Sequence, residues 1–394
     1  MSRKIVLIAA VGVLAVAAPA EARHGGSAVV VEWNRMANEV AAAAASPLAF
    51  KEPRAMAMLH LAQRDALGAR RAGPTAAAAT AARDVLAAEY PGQLAEIDGL
   101  YAAQLRAVPH GHAKRAGIAR GRYEAARILW ARAGDGYDFE GTYTFGSRPG
   151  DYQTTPPFAG FVLQPGFRFA RPFVLDAPGA LRPPPPPGLD TRAYRRALVE
   201  VARDGRIDST TRTADETGYA VWWMEFAERS LNRLARRLVS ERRLGLHGAA
   251  SLLTQLNAGL FDTYVAVWDA KFAYNRWRPY TAIRAAGIDP AWESLRPALP
   301  FPDYPSAHAA VCASSFTILA HAFGDRTRFT MDSTTAPPGM PTRSFRSFSQ
   351  AADECADSRV KLGFHFRYAT DAGQRLGRRV GDVVVGDAAH EPRH

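Results

Sequence analysis

The chain has 394 residues, 47% hydrophobic and 22% charged, a globular balance with length for one large domain or two ordinary ones. Its formal net charge of +11 comes from dispersed arginines rather than basic runs interleaved with aromatics. That argues against nucleic acid and leaves an anionic small substrate, or plain solubility, as its meaning. Only two cysteines, Cys312 and Cys355, are present, which excludes a disulfide-dense scaffold.

Met1 to Ala22 reads as a secretory signal: Arg3 and Lys4, an apolar run from Ile5 to Ala18, then Ala20-Glu21-Ala22 as a cleavage pattern. That run is short for a bilayer span, and no later stretch is long and apolar enough to cross one. The expectation is an exported, periplasmic or secreted protein starting near Arg23, without a membrane span.

Residues 23–133 are Ala-rich with helical periodicity. Helices are expected at Val29–Ala45, Glu52–Leu67, Thr75–Tyr90, Pro91–Arg106 and Gly117–Ala133, with Gly or Pro between them. No chemistry is evident there. His60 and Asp65 sit on a core-like helix, and His110 and His112 lack a third ligand for a metal. Residues 134–190 change character, with Gly, Pro and aromatics (Phe158, Phe161, Phe167, Phe173) ending in Pro183–Pro187. A loop this long is functional or a linker, and its aromatics suggest an arm packed over a surface as the wall of a pocket.

Residues 191–394 form the third region. Thr213-Ala214-Asp215-Glu216 is a capping box opening a long helix with Trp222 and Trp223 as core anchors. Helices follow at His247–Phe272, Pro279–Ala286 and Ser306–Phe323. After a loop at Thr327–Ser344 come one from Ser347 or Ser349 to Lys361 and a last one at Thr370–Val385. Strand-like alternation is nearly absent, so the fold class is expected to be all-α: helical bundles with one long Pro/Gly/aromatic loop.

Chemistry concentrates between Lys271 and His365, in three clusters: KFAYNRWRP (271–279), YPSAH (304–308) and SRVKLGFH (358–365). Lys271 and Arg278 are two helical turns apart, but Pro279 disfavours helix at Arg278, placing it at the turn leaving that helix. Trp268, Phe272, Tyr274 and Trp277 crowd the pair, and buried cations need an anion. Ser306 begins a helix whose free amides attract an oxyanion; it is either a hydroxyl donor to that anion or a simple N-cap. His308, on the first turn, can exchange a proton there. Arg359 offers a planar fork for two oxygens of one anion, and His365 could attack or ligate its central atom. Cys312 lies four residues after His308 and Cys355 four before Arg359, each on a helix face with a candidate site residue. If both helices line one pocket, an oxidising compartment would join the thiols; two buried thiols is the other reading.

Taken together, the clusters resemble the superfamily of type-2 phosphatidic acid phosphatases and vanadium-dependent haloperoxidases: Lys-x6-Arg-Pro, Pro-Ser-Gly-His and Ser-Arg-x5-His. Lys271, Arg278, Pro279, Pro305, Ser306, His308, Ser358, Arg359 and His365 fit in order and spacing. WNRMANEV, PRAMAMLHLAQRDAL, RPPPPPGLD, DSTTRT and FPDYPSAHA extend the likeness to the soluble bacterial haloperoxidase-like branch. The resemblance implies a helical-bundle fold holding vanadate, or phosphate as substrate, by Lys271, Arg278, Ser306, the amide of Ala307, and Arg359. It further implies His365 as the vanadium ligand, His308 as the acid–base histidine, and hydrogen peroxide and halide as reactants. In the phosphatase version, an exported acid phosphatase, His365 forms a phosphohistidine from a phosphate ester and His308 protonates the leaving oxygen. Two positions depart from the pattern. Ala307 replaces the glycine of the second motif, and the acidic residue often found four after the last histidine is Ala369, with Asp371 two further on.

Overall fold

The computed structural model describes residues 26–69 and 72–390; the signal expected over 1–22 lies outside the described residues. Thirteen α-helices and one two-stranded sheet make up what is described, so the protein is all-α. The first five helices are α1 (Ala28–Ala44), α2 (Lys51–Leu67), α3 (Pro74–Glu89), α4 (Leu94–Ala107) and α5 (His112–Ala131). The last starts five residues ahead of its expected boundary. Gly117, read as its opening, is instead a packing position: a Cβ there or at Gly121 would strike the carbonyls of Gly73 and Ala77 across the α3 interface. His60 is a core residue, its ring between Asn34 and Gln63 (2.8 and 3.0 Å).

The remaining helices are α6 (Arg192–Asp204), α7 (Ala214–Trp222), α8 (Ala227–Glu241), α9 (Leu246–Tyr274), α10 (Pro279–Ala285), α11 (Ala307–Phe323), α12 (Phe348–Lys361) and α13 (Arg367–His390). The capping box at Thr213 and Glu216 is formed, yet its helix stops at Trp222 and a separate helix starts at Ala227, against the single long helix expected. α6, capped by the Thr191 hydroxyl, was not foreseen. Within the loop expected at 327–344, β1 (Phe329–Asp332) pairs antiparallel with β2 (Thr342–Phe345).

The 29-residue α9 organises the molecule. It is buried along most of its length and packs against α2, α11 and α13. Its C-terminal end therefore emerges among the helices that carry the second and third clusters. α11 and α13 lie especially close, because Gly373, Gly377 and Gly381 recur every fourth residue on α13. A Cβ at any of them would run into the Ser306, Ala310 or Ser314 carbonyl. That approach fixes the start of α11 against α13, and the Ser306 amide donates to the Ala369 carbonyl (2.9 Å).

The Pro/Gly arm is packed down. Phe167 stacks on Phe50 with centroids 3.6 Å apart and meets Phe261 and Trp268 edge-on. Buried Asp262 accepts the Phe173, Val174 and Leu175 amides (2.6–2.9 Å). Phe161, by contrast, is exposed. The polyproline end hangs from the first two clusters: Tyr274, Tyr304 and Arg276 donate to the carbonyls of Pro183, Pro184 and Pro187 (2.5, 2.6 and 2.8 Å).

Candidate active site

α9 ends where Asn275 turns left-handed (φ 49°), so the helix does not persist to Arg278. Arg278 is the extended N-cap of α10, leaving its helix as Pro279 requires. Both cations nevertheless reach one segment. Lys271 Nζ donates to the carbonyls of Pro302 (2.6 Å) and Asp303 (3.0 Å), and Arg278 Nε to that of Phe301 (2.8 Å). Both lie over the Phe301 ring, 4.9 and 4.8 Å from its centroid, and both are fully buried. Arg278 Nη1 donates to the Phe364 carbonyl (2.9 Å) and lies 3.1 Å from His365 Nε2. The first and third clusters thus meet.

The second cluster supplies a helix start. Ser306 is the N-cap of the 17-residue α11, but its hydroxyl makes no cap bond; Ser306 Oγ is buried without a partner, so it is not serving as a simple cap. The first-turn amides of a helix have no intrahelical acceptor. Ala307 begins the helix in ordinary helical conformation, so its methyl group costs no backbone strain where the motif has glycine. His308, on the same turn, has a buried Nε2 without a partner. Burial first, then Arg359, hold its imidazole well below the usual histidine value, so it is neutral at pH 7.

Arg359 sits near the end of α12. Its Nε donates to Ser358 Oγ (2.9 Å) and its Nη2 to the Trp223 carbonyl (2.7 Å). Among the described residues no carboxylate balances it, and burial alone lowers it to about 9. Just beyond, Gly363 at φ 79° reverses the chain, in the left-handed region that glycine tolerates, and aims His365 back at Arg278. Its ring is depressed well below the ordinary value by burial, then Arg278, Lys271 and Arg359.

Asp303, to which the sequence reading assigned no role, is fully buried with Oδ1 2.8 Å from His365 Nδ1. Burial pushes its carboxyl up to about 7, with Arg278, Lys271 and Arg276 pulling it back. Ala369 is buried beside Tyr304 and Tyr368, and Asp371 has Arg367 and Arg375 as neighbours. The carboxylate on His365 therefore comes from the segment before α11, three residues ahead of Ser306. The only sign of it in the sequence is an acid flanked by proline-aromatic pairs in FPDYP.

Cys312 and Cys355 are joined, with Cα atoms 6.6 Å apart. Their sulfurs lie close to the His308 ring, but as a cystine they offer no thiolate to a metal. The bond ties α11 to α12 one turn from His308 and one turn from Arg359.

The site can be summed by charge and by orphaned atoms. Three buried cationic groups, Lys271, Arg278 and Arg359, surround His365, and Lys271 and Arg278 face one buried carboxylate, Asp303. Among the described residues Arg278 Nη2, Ser306 Oγ and His308 Nε2 are buried without partners, as is the acceptor Asp303 Oδ2. Unpaired buried polar atoms are costly, and a tetrahedral oxyanion would satisfy donors and excess positive charge together.

Residues 251–391 match the family model of the VCPO second helical-bundle domain. The chain is 25% identical over 264 residues to vanadium chloroperoxidase of Curvularia inaequalis, an alignment covering 48% of this chain and 43% of that protein; the chain spans less than half the length of this relative. Among solved structures, it superposes on a bacterial vanadium-dependent iodoperoxidase with TM-score 0.77 and 24% identity, covering 91% of this chain and 95% of that one. A holo-type bacterial vanadium-dependent chloroperoxidase superposes with TM-score 0.73 and 19% identity, covering 89% and 94%. Residues 251–391 thus match the VCPO second helical-bundle domain, within a chain that has the fold of the bacterial vanadium-dependent haloperoxidases.

Proposed function

We propose that the protein is an enzyme, a vanadate-dependent haloperoxidase. The observation that carries this is the imbalance just described: three buried cations against one carboxylate, around orphaned donors at the start of α11. Vanadate fits this set because it matches phosphate in shape and charge. Lys271, Arg278 and Arg359 would neutralise it, the Ser306 hydroxyl and Ala307 amide would donate to it, and His365 would ligate it. When bound, vanadate supplies the Lewis-acidic centre at which hydrogen peroxide is activated toward a halide.

The remaining work falls to the chain's own groups. His308, neutral because burial and Arg359 disfavour its cation, is suited to accept a proton at Nε2 from the incoming peroxide. Three cations packed under apolar walls keep their field unscreened by water. The Phe301 ring beneath Lys271 and Arg278 helps exclude solvent from that side.

The same residues would hold the phosphoryl group of a phosphate ester, so two assays on one preparation decide the activity. Halogenation of monochlorodimedone should appear with vanadate, peroxide and halide and vanish when vanadate is withheld. No halogenation after vanadate loading, with hydrolysis of p-nitrophenyl phosphate that vanadate inhibits, would replace this reading with an exported acid phosphatase.

A further inference from the structure

We propose that Asp303 is a positioning residue that fixes the ring orientation and tautomer of His365, keeping the lone pair on Nε2, on the side where Arg278 borders the oxyanion pocket. This deepens the functional reading above and rests on it for the identity of the guest. The assignment follows from donors and acceptors. His365 has two buried ring nitrogens; Arg278 Nη1 lies nearer Nε2 (3.1 Å) than Nδ1 (3.5 Å), and only Nδ1 also meets a carboxylate. At Nε2 the neighbour is Arg278 Nη1, 3.1 Å away, and a guanidinium can only donate. At Nδ1 the close neighbour is Asp303 Oδ1, 2.8 Å away, which can only accept when its carboxyl is ionised, the form that Arg278 and Lys271 beside it favour. The two partners impose one tautomer: hydrogen on Nδ1, lone pair on Nε2. A hydrogen on Nε2 would face a guanidinium N–H.

The backbone that carries the carboxylate is held firmly, while Asp303 Oδ2 is buried with no hydrogen-bond partner among the described residues. Asp303 is fully buried, and its amide donates to the Arg276 carbonyl (2.8 Å). The carbonyls of 301, 302 and 303 are all gripped by Arg278 or Lys271. The groups that bind the anion therefore also set the segment that orients the histidine. With alanine at 369, one helical turn past His365, the orienting carboxylate reaches the ring from a different part of the chain.

The test compares the wild type with Asp303→Asn and Asp303→Ala by nitrogen-15 NMR of the histidine ring in anion-free protein, and by calorimetric titration with orthovanadate. Wild type should show a protonated Nδ1 and an unprotonated Nε2. Asp303→Asn keeps an acceptor oxygen in place and should retain that tautomer. Asp303→Ala removes the acceptor and should give a tautomer mixture and roughly 10–100-fold weaker vanadate binding, the usual cost of losing a group that orients a ligating histidine. A residue acting only as a countercharge would behave oppositely: removing a negative charge from this cationic pocket would tighten vanadate in both variants. The proposal is overturned by a wild-type His365 protonated at Nε2, or by undiminished vanadate affinity in a folded Asp303→Ala protein. If Asp303→Ala does not fold, the wild-type tautomer and Asp303→Asn decide. Failure of wild type to bind vanadate would sink the functional reading instead, leaving the tautomer result standing.

Discussion

Arg359 shows most clearly what a single side chain is asked to do. Its Nε and Nη2 are spent on Ser358 Oγ and the Trp223 carbonyl, which orient the plane of the fork. A lysine would keep the charge but could not hold both partners and still face the anion. Arg359→Lys should therefore weaken vanadate binding by about tenfold or more, in line with losing one charge-assisted hydrogen bond. Equal affinity in titration would show that charge, not geometry, is what this position supplies. Its place in the motif was legible because Ser-Arg-x5-His fixes a short local spacing. Asp303 was not legible as a site residue, since its partner His365 lies 62 positions away and no periodicity links an irregular Pro-flanked segment to a residue past a helix end. The Ser306 hydroxyl is a middle case. The sequence allowed both a cap and an anion donor, and the absence of a cap bond speaks against the cap and leaves the hydroxyl free for the donor role proposed for it.

Among the elements, the pairing of α11 with α12 bears directly on the site, because the cystine joins them one turn from His308 and one turn from Arg359. The sequence left this bond open: equal offsets from two site residues say nothing about the distance between two helices until both are docked. The break between α7 and α8 was hidden for a similar reason. Local propensity runs through Trp223, but the carbonyls there are taken from outside the helix, that of Trp222 by Ser333 and Thr335 and that of Trp223 by Arg359. Closing a loop of 43 residues, the cystine should contribute about 2–4 kcal/mol to stability. Replacing both cysteines by serine, or reducing the bond, should lower Tm and also weaken vanadate binding, because His308 and Arg359 lose their common brace. A drop in Tm with unchanged vanadate affinity would confine the bond to a structural role.

At the scale of the whole molecule, the long all-α pattern was readable because α9 and its neighbours keep helical periodicity. The packing of α13 on α11 was not, since it rests on three glycines whose meaning appears only against a partner's carbonyls. α9, the start of α10 and α12 carry three cations into the interior, where burial works against each of them. The anion-free protein therefore carries a destabilising site, and any oxyanion that binds only the folded state stabilises it by mass action, by about 2.7 kcal/mol at a hundredfold excess over Kd. For a chain of this size that is a rise in Tm of roughly a few degrees, which differential scanning calorimetry with orthovanadate or phosphate would resolve. The net charge of +11 offers a competing origin for such an effect, and salt separates the two. Attraction to exposed charge is screened within about 10 Å at 0.1 M salt, whereas Lys271 and Arg278 are fully buried and Arg359 nearly so. The Tm rise should persist in 0.5 M sodium chloride and disappear in Arg278→Ala. A rise that salt abolishes, or that survives loss of the Arg278 fork, would assign the effect to the surface and remove the buried cations as the anion's seat.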